Sequence, residues 1–372
     1  MAVKCHVIIE ALENLAPRHL AADWDNVGLL LGSVTQDIAK IFVTLDVTPA
    51  VAQYAAANGI DLIVSHHPII FKGIKHIRTD SPTGRVLQTL IKHDVAVYAA
   101  HTNLDTATGG VNDVLAKQLN LNDIAPLQTQ YTEKLVKIVT FVPEGHVERV
   151  RNAMAAAGAG HIGNYSHCSF QTAGTGTFLP LAGTTPFIGE QGKLEYVPEY
   201  RLETIAPEKI VRRVVAAMLK AHPYEEVAYD LFPLLNSGSA YGLGRVGTLV
   251  QSLSLADFAI VVKAALGLER LKIAGDPAAK IRKVAVCGGS GISVTSAAIA
   301  AGADVLITGD VKYHEAQEAV AAGLAIIDAG HFATEQPVVA AIASYLEECA
   351  AANNWHVAIY ADTINTDVFT VL

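Results

Sequence analysis

Three short clusters of histidine and acidic residues stand out in this sequence, and each follows an apolar run typical of a buried strand. The first is Ser65-His66-His67-Pro68, the second runs from His101 to Asp105, and the third from His331 to Glu335. Loops at the carboxyl ends of parallel strands converge on one crevice, where ligands bind. Imidazole and carboxylate groups suit divalent transition metals. The clusters therefore predict a metal site.

The His66-His67 pair favours two neighbouring ions over one, because adjacent residues leaving a strand point in different directions. Glu335 has a side chain long enough to bridge two ions. The mixture of imidazoles and carboxylates is the one that dinuclear hydrolases use. A solvent-exposed pair in a loop is the plainer interpretation of the histidines.

The acidic residues also have plainer interpretations. Asp105 suits a turn near Gly109-Gly110. Thr334 and Pro337 predict that a helix begins there, with Glu335 in its first turn, where a carboxylate compensates the helix dipole.

His101 and Asp310 are candidate catalytic residues, as carriers of a proton. His101 could also be a sixth ligand or could orient another ligand. Gly309-Asp310, with His314 nearby, takes the place in the last third that the histidine pair takes in the first. A helix N-cap is the plainer interpretation of Asp310.

Two further motifs have an open interpretation. Cys287-Gly-Gly-Ser-Gly291 follows an apolar run and suits either a phosphate cradle or a tight strand-to-helix turn. Trp24-Asp25-Asn26 suits stacking and hydrogen bonding of a base, or an Asx turn against a core tryptophan. We favour the core tryptophan.

Composition limits the class of protein. At 372 residues, with 51% hydrophobic and 17% charged residues, the chain should form two or three folded domains. The net charge of -9 and the lack of basic runs argue against nucleic acid as a partner. The four cysteines are scattered, which is typical of reduced thiols. Without a signal peptide or membrane span, we expect a cytoplasmic protein.

Apolar runs alternate with alanine-rich helical stretches, the pattern of an α/β protein with parallel strands. Helices are predicted at Pro49–Asn58 and Val294–Ala301, each closed by a glycine. Strands are predicted at Ile41–Leu45, Leu62–Val64, Val95–Ala99, Val284–Cys287, Val305–Thr308 and Ala325–Asp328.

The first and last thirds resemble each other. Gly59–Ser65 lines up with Gly302–Thr308, and Ala100-His-x-x-x-Asp105 lines up with Gly330-His-x-x-x-Glu335. All units of strand, helix and strand look somewhat alike, but the shared His-x-x-x-acid favours duplication. We predict two related α/β lobes around a pseudo-twofold axis.

The middle third has its own repeat. Pro143–Met154 matches Pro207–Met218 at seven of twelve positions, and each copy follows a strand. We predict that each proline starts a helix. Two such halves indicate an inserted ferredoxin-like α+β domain. The predicted domains are therefore residues 1–127 and 237–372 as the two lobes, which pack together, with 128–236 as the insertion.

Four motifs taken in order resemble the GTP cyclohydrolase 1 type 2 homologue family, also called Nif-three-like. The resemblance covers both outer thirds, and the middle third resembles the PII- or CutA-like insertion of longer bacterial members. The motifs are Trp24-Asp-Asn-Val-Gly-Leu29, Ser65-His-His-Pro68, His101-Thr-Asn-Leu-Asp105 and Gly330-His-Phe-Ala-Thr-Glu335.

The resemblance implies a dinuclear metal site and assembly into a toroidal homohexamer. The ligands it implies are His66, His67, Asp105, His331 and Glu335. Zinc, iron, manganese and cobalt all suit this set. We predict a metal-dependent hydrolase acting on a nucleotide or a related heterocycle. The alternative is a metal-binding protein without enzymatic activity, whose inserted domain senses a small ligand or holds partners.

Overall fold

Apolar runs near the N-terminus form buried strands in the computed structural model, which describes residues 2–370. The predicted helix Pro49–Asn58, here α2, is confirmed at both ends. At its start the Thr48 side chain accepts a hydrogen bond from the Val51 N–H, and at its end Gly59 has a left-handed backbone with φ 62°. The first elements are β1 (Val3–Lys4), α1 (Cys5–Leu15), β2 (Gly28–Leu31), β3 (Asp37–Ile38), β4 (Lys40–Thr44), α2 (Pro49–Asn58), β5 (Leu62–Ser65), α3 (Pro82–Lys92), β6 (Ala96–Ala99), α4 (Thr102–Thr106) and α5 (Val111–Gln118).

The rest of the chain continues this mixture of strands and helices. The middle elements are β7 (Asn122–Pro143), α6 (Val147–Ala156), β8 (Ser169–Phe178), β9 (Glu195–Pro207), α7 (Val211–Ala221) and β10 (Tyr229–Ser254). The last elements are α8 (Leu255–Ala265), β11 (Lys272–Ala274), β12 (Lys280–Val286), α9 (Thr295–Ala300), β13 (Val305–Thr308), α10 (Tyr313–Ala321), β14 (Ala325–Asp328), α11 (His331–Glu335), α12 (Pro337–Asn353) and β15 (Ala358–Ala361). Each predicted strand of the outer thirds overlaps an observed one.

Contacts divide the chain into two compact units. The first comprises residues up to Tyr131 together with those from Tyr241 onward, and the second is Thr132–Ala240. The inserted domain predicted from the sequence comprised residues 128–236, and that division into domains stays a prediction.

The first unit contains a five-stranded sheet in the order β15-β4-β5-β6-β2. Strands β15, β4, β5 and β6 are parallel, and β2 is antiparallel at the edge. The C-terminal strand β15 thus completes the sheet of the N-terminal third, which the sequence did not predict. A second run of neighbouring strands in this unit has the order β11-β14-β13-β12-β10.

Two helices connect the cores of these sheets. Val338, Ile342 and Leu346 of α12, late in the chain, are buried against the sheet of the N-terminal third. Leu115 of α5 and Leu119, the residue that ends this helix, are buried against the sheet of the C-terminal third. Each sheet is therefore covered by a helix from the other end of the chain, so the two halves of this unit form their cores together.

Matching hydrogen bonds recur in the two sheets. The Asp61 carboxylate accepts bonds from the backbone N–H groups of residues 39 and 40. The Asp304 carboxylate accepts bonds from residues 282 and 283, at the same spacing. This is what a duplicated unit would contain; common origin itself stays a prediction.

The second unit has the element order strand, helix, strand, strand, helix, strand, which is the order of a ferredoxin-like domain. Its assignment to that fold stays a prediction. The predicted role of Pro143 is wrong, because it is the last residue of β7 and α6 begins four residues later. Pro207 is the last residue of β9 and directly precedes a 3₁₀ turn, Glu208–Ile210, that leads into α7.

Among residues 2–370, no helix is both long and apolar enough to cross a bilayer.

The core of the first unit contains a paired arginine. Arg245 is 2% exposed, and its guanidinium donates to both oxygens of Asp113, each at 2.8 Å. It also donates to the backbone carbonyls of Gly242, Gly244 and Ala107. This network ties β10 to the segment around α5.

Replacing Arg245 with methionine should lower the free energy of unfolding by about 3–5 kcal/mol, because Asp113 is left as a buried, unpaired charge. Both tryptophans lie in the first unit, so urea unfolding followed by tryptophan fluorescence measures the loss. The control is Arg149→Met at an exposed arginine, which should leave the midpoint unchanged. Equal midpoints for the two variants would show that the Arg245 network does not stabilise the unit.

Candidate metal centre

The predicted ligands lie at the carboxyl ends of strands from both sheets of the first unit. His66 and His67 directly follow β5, and Asp105 lies in α4, just after β6. His331 and Glu335 are the first and last residues of α11, which follows β14. The predicted helix start is therefore wrong in detail: Glu335 ends a short helix instead of lying in the first turn of a longer one.

Glu335 lies at the centre of the cluster and is 4% exposed. Its Oε2 is 3.1 Å from His67 Nε2 and 3.2 Å from His331 Nε2. The two ring nitrogens are 3.4 Å apart. His67, His331 and Glu335 therefore form a group that could hold a metal ion.

The other carboxylate oxygen of Glu335 belongs to a second group. Oε1 is 3.7 Å from His66 Nε2, which is 3.6 Å from Asp105 Oδ1. These three side chains could also hold an ion, as could His101 with His66 and His67. The structure thus brings together all five predicted ligands and places His101 beside them.

Several polar atoms of the cluster have no protein partner. Four buried side-chain atoms of the described residues lack a hydrogen bond, and three of these are His66 Nε2, Asp105 Oδ1 and Glu335 Oε2. Leaving such atoms unpaired is costly unless another group binds them. Imidazole nitrogens and carboxylate oxygens are suitable donor atoms for a divalent cation, so the residues present fit a metal.

Each histidine of the cluster is oriented by a bond at its Nδ1 atom, which leaves Nε2 available. Metal-binding histidines are commonly held in this way. The partners are the Ala100 carbonyl for His66 at 2.8 Å, Asp46 for His67 at 2.8 Å, Asp310 for His331 at 2.7 Å and Asp25 for His101 at 3.0 Å.

The roles of two of these acids were not predicted from the sequence. Asp46 was missed, although it directly follows a predicted strand, as the histidines do. Asp310 is not the N-cap of the next helix, because α10 begins after Lys312. Asp310 has a left-handed backbone, with φ at 57°, and accepts its bond from His331. Few non-glycine residues adopt this conformation, and they often lie at functional sites.

The glycine-rich turn after β12 makes room for Glu335. The backbone of Gly289 has φ at 61°, and a Cβ atom there would lie 2.1 Å from Glu335 Oε1. The N–H groups of Gly288, Gly289 and Gly291 donate to side chains of the protein. They are therefore not free to cradle a phosphate, and the tight-turn interpretation is confirmed.

The favoured interpretation of Trp24 as a core residue is wrong, because its side chain is 60% exposed. Its ring lies 5.5 Å from that of Phe71 and 6.1 Å from that of His101. The next residue, Asp25, accepts bonds from His101 and from the Thr102 backbone. The Trp-Asp-Asn motif thus presents an exposed aromatic ring beside the cluster.

Electrostatics in the cluster follow from these contacts. Burial alone would raise the pKa of Glu335, but the imidazoles of His66, His331 and His67 lower that pKa well below its ordinary range. The neighbouring Glu335 carboxylate raises the pKa of His331 to about 9. Burial opposes charge on His67, yet its bond to Asp46 and the neighbouring Glu335 carboxylate raise its pKa to about 10. At neutral pH both imidazoles carry a proton.

Metal binding should therefore release protons. Neutral imidazole is the ligand, so an ion bound by His67 and His331 should release about two protons at pH 7, and its affinity should rise between pH 7 and 9. Calorimetric titration with zinc in buffers of different ionisation enthalpy counts these protons. His314→Gln, at an exposed histidine, is the control and should release the same number. A binding enthalpy that is equal in all buffers would contradict the protonated state.

Known proteins resemble this chain over nearly its whole length. It is 46% identical to a protein of Halalkalibacterium halodurans over 365 residues, and 44% identical to one of Bacillus subtilis. Each alignment covers 98% of both chains, and both relatives are named GTP cyclohydrolase 1 type 2 homolog.

A solved structure and a family profile agree with these relatives. The crystal structure of a Bacillus cereus protein related to NIF3 covers 100% of both chains, at 43% identity and a TM-score of 0.94. The profile of Duf34/NIF3 (NGG1p interacting factor 3) matches residues 3–367. The chain is therefore a member of the Duf34/NIF3 family.

Proposed function

We propose that this protein is a metal-dependent hydrolase with a dinuclear centre, acting on a nucleotide or a related heterocycle. The observation that carries the proposal is the position of Glu335. Its two oxygens face two different groups of ligands, with His66 and Asp105 on one side and His67 and His331 on the other. A carboxylate in this position suits a bridge between two cations.

The donor set supports both halves of the centre. His66, Asp105 and Glu335 would hold one ion, and His67, His331 and Glu335 the other. Divalent ions bound there would lower the pKa of water toward neutrality and act as Lewis acids. The Asp105 and Glu335 carboxylates offset part of the charge of two cations, and the imidazoles are already oriented by Asp46, Asp310 and the Ala100 carbonyl.

The side chains around the ligands have separate roles in the proposal. His101 Nδ1 is bonded to Asp25, so Nε2 remains to accept or donate a proton at the reacting group. Asp310 already accepts a bond from His331, and we assign it the orientation of that ring. Burial opposes charge on Asp25, but bonds from His101 and Thr102 hold its pKa below its ordinary range. Asp25 therefore stays ionised and holds the His101 ring in place through its bond to Nδ1.

Space for a substrate adjoins the centre. A cavity of about 1000 Å³ is lined by His67, His331, Phe332 and Lys272. On the side of His101, the exposed rings of Trp24 and Phe71, inclined at 41° to each other, offer aromatic faces for a heterocycle. The names of the Halalkalibacterium and Bacillus relatives point to the same class of substrate.

Glu335→Gln should remove both ions, because the amide lacks the negative charge that the two groups share. Elemental analysis of the protein purified with added zinc, manganese, iron or cobalt measures the loss. Hydrolysis of a panel of GTP, other nucleotides and phosphodiesters should fall with the metal content. The control is Glu318→Gln, at an exposed glutamate of α10, which should keep metal and activity.

The outcomes separate the two functions. Metal-loaded protein that hydrolyses no member of the panel would favour the alternative, a metal-binding protein without catalysis. Full metal content in Glu335→Gln would contradict the bridging role.

Trp24→Ala should raise KM for a hydrolysed nucleotide by roughly 5–150-fold, because stacking of a base on an aromatic ring contributes about 1–3 kcal/mol. The value of kcat should change little, since Trp24 provides none of the ligands. Steady-state kinetics measure both constants. Tyr165→Ala, at another exposed aromatic residue, should leave KM unchanged. An unchanged KM in Trp24→Ala would exclude the ring as a binding surface.

A further inference from the structure

A second large cavity lies in the second unit and shares no residue with the metal centre. Its volume is about 730 Å³, and its walls come from β8, the following segment up to residue 188, and residues 224–228. The Thr185 N–H donates to the Glu225 carboxylate at 2.9 Å, which attaches that segment to the wall. This segment therefore forms a bonded part of the cavity wall.

The cavity contains a buried carboxylate that has no cation partner. Glu199, on β9, is 8% exposed, and it forms no ion pair among residues 2–370. Its Oε1 accepts a bond from the Tyr224 hydroxyl at 2.8 Å. Its Oε2 has no hydrogen-bond partner among those residues, and Gly176 leaves the room that this atom occupies. Since Oε2 is not one of the fully enclosed atoms that lack a partner, it is open to the cavity, and this side of Glu199 is suited to a ligand.

The one arginine in the walls does not supply that charge. Arg201 donates to Glu203 at 2.6 Å. Glu225 and Glu226 add two further acids to the lining. The cavity is therefore acidic, which disfavours phosphates and carboxylates as ligands.

Aromatic rings line the same cavity as the acid. The ring of Tyr224 lies 5.9 Å from that of Phe178 and 6.3 Å from that of Phe187. The Phe187 side chain is 53% exposed, and like Phe178 it lines the cavity. The faces of such rings attract cations, and aromatic cages with an acid bind ammonium groups.

We propose that the second unit binds an organic cation, a substituted ammonium group held between Glu199 and the rings of Tyr224 and Phe187. A bare metal ion fits less well, because the groups of side chains that could hold a metal, as far as the chain is described, all lie in the first unit. The apolar walls suit carbon substituents on the nitrogen. This site is independent of the proposed hydrolase.

Choline is a suitable probe, because 3,3-dimethylbutan-1-ol has the same shape without the charge. Calorimetry or ligand-observed NMR on the full-length protein should detect choline and find the neutral alcohol bound at least about tenfold more weakly. Glu199→Gln should weaken choline binding about tenfold or more, since the amide still accepts the Tyr224 bond but has no charge. Phe187→Ala should weaken it by about fivefold, because one ring is lost.

Two controls locate the effect. Glu208→Gln changes an exposed glutamate outside the cavity and should leave choline binding unchanged, as should Glu335→Gln at the metal centre. Thermal melting checks that each variant folds. If Glu199→Gln does not fold, Phe187→Ala provides the test. Failure of the wild type to bind choline, equal binding of the neutral alcohol, unchanged binding in either cavity variant, or loss of binding in Glu335→Gln would overturn the proposal.

Discussion

A carboxylate with only 4% exposure must be neutralised by its surroundings, and the neutralisation of Glu335 organises the first unit. His67 and His331 contact one of its oxygens and His66 lies near the other. Those imidazoles are held in turn by Asp46, Asp310 and a backbone carbonyl, so each ring has a fixed orientation. Gly289 is required because any Cβ there would occupy the place of the carboxylate. Without a metal, protons on His67 and His331 balance the charge; with a metal, cations would replace those protons.

The path of the chain makes this arrangement possible. Helix α12 packs on the sheet of the N-terminal third, and α5 packs on the sheet of the C-terminal third. Glu335 lies two residues before the start of α12, so the helix that completes one core brings the glutamate to histidines at the end of β5. Each core includes a helix from the other half of the unit, and the cluster takes its ligands from both halves. The second unit contributes no residue to the cluster, and its own acidic, aromatic cavity is consistent with a separate binding role.

The sequence predicted much of the site because strand ends are easy to recognise. His66 and His67 follow an apolar run, and their neighbours in space follow similar runs. The hydrogen bonds at the histidine Nδ1 atoms depend on the distances between loops, which the sequence does not reveal. Asp46 was therefore not predicted as the partner of His67. The exposure of Trp24 and the end of α11 at Glu335 likewise depend on tertiary packing, which a local sequence pattern does not predict. Strand β15 was missed because its four residues, Ala358–Ala361, pair with a strand more than 300 residues away. Part of the wall of the second cavity comes from a segment after β8 that has no regular pattern.

We propose that one glutamate, Glu335, bridges two ions. Anomalous X-ray diffraction from crystals of the metal-loaded protein is a direct test, since the peaks locate each ion without reference to activity. We expect two peaks on opposite sides of the Glu335 carboxylate, one beside His66 and Asp105 and the other beside His67 and His331. A single peak, or peaks that do not contact Glu335, would rule out the bridge.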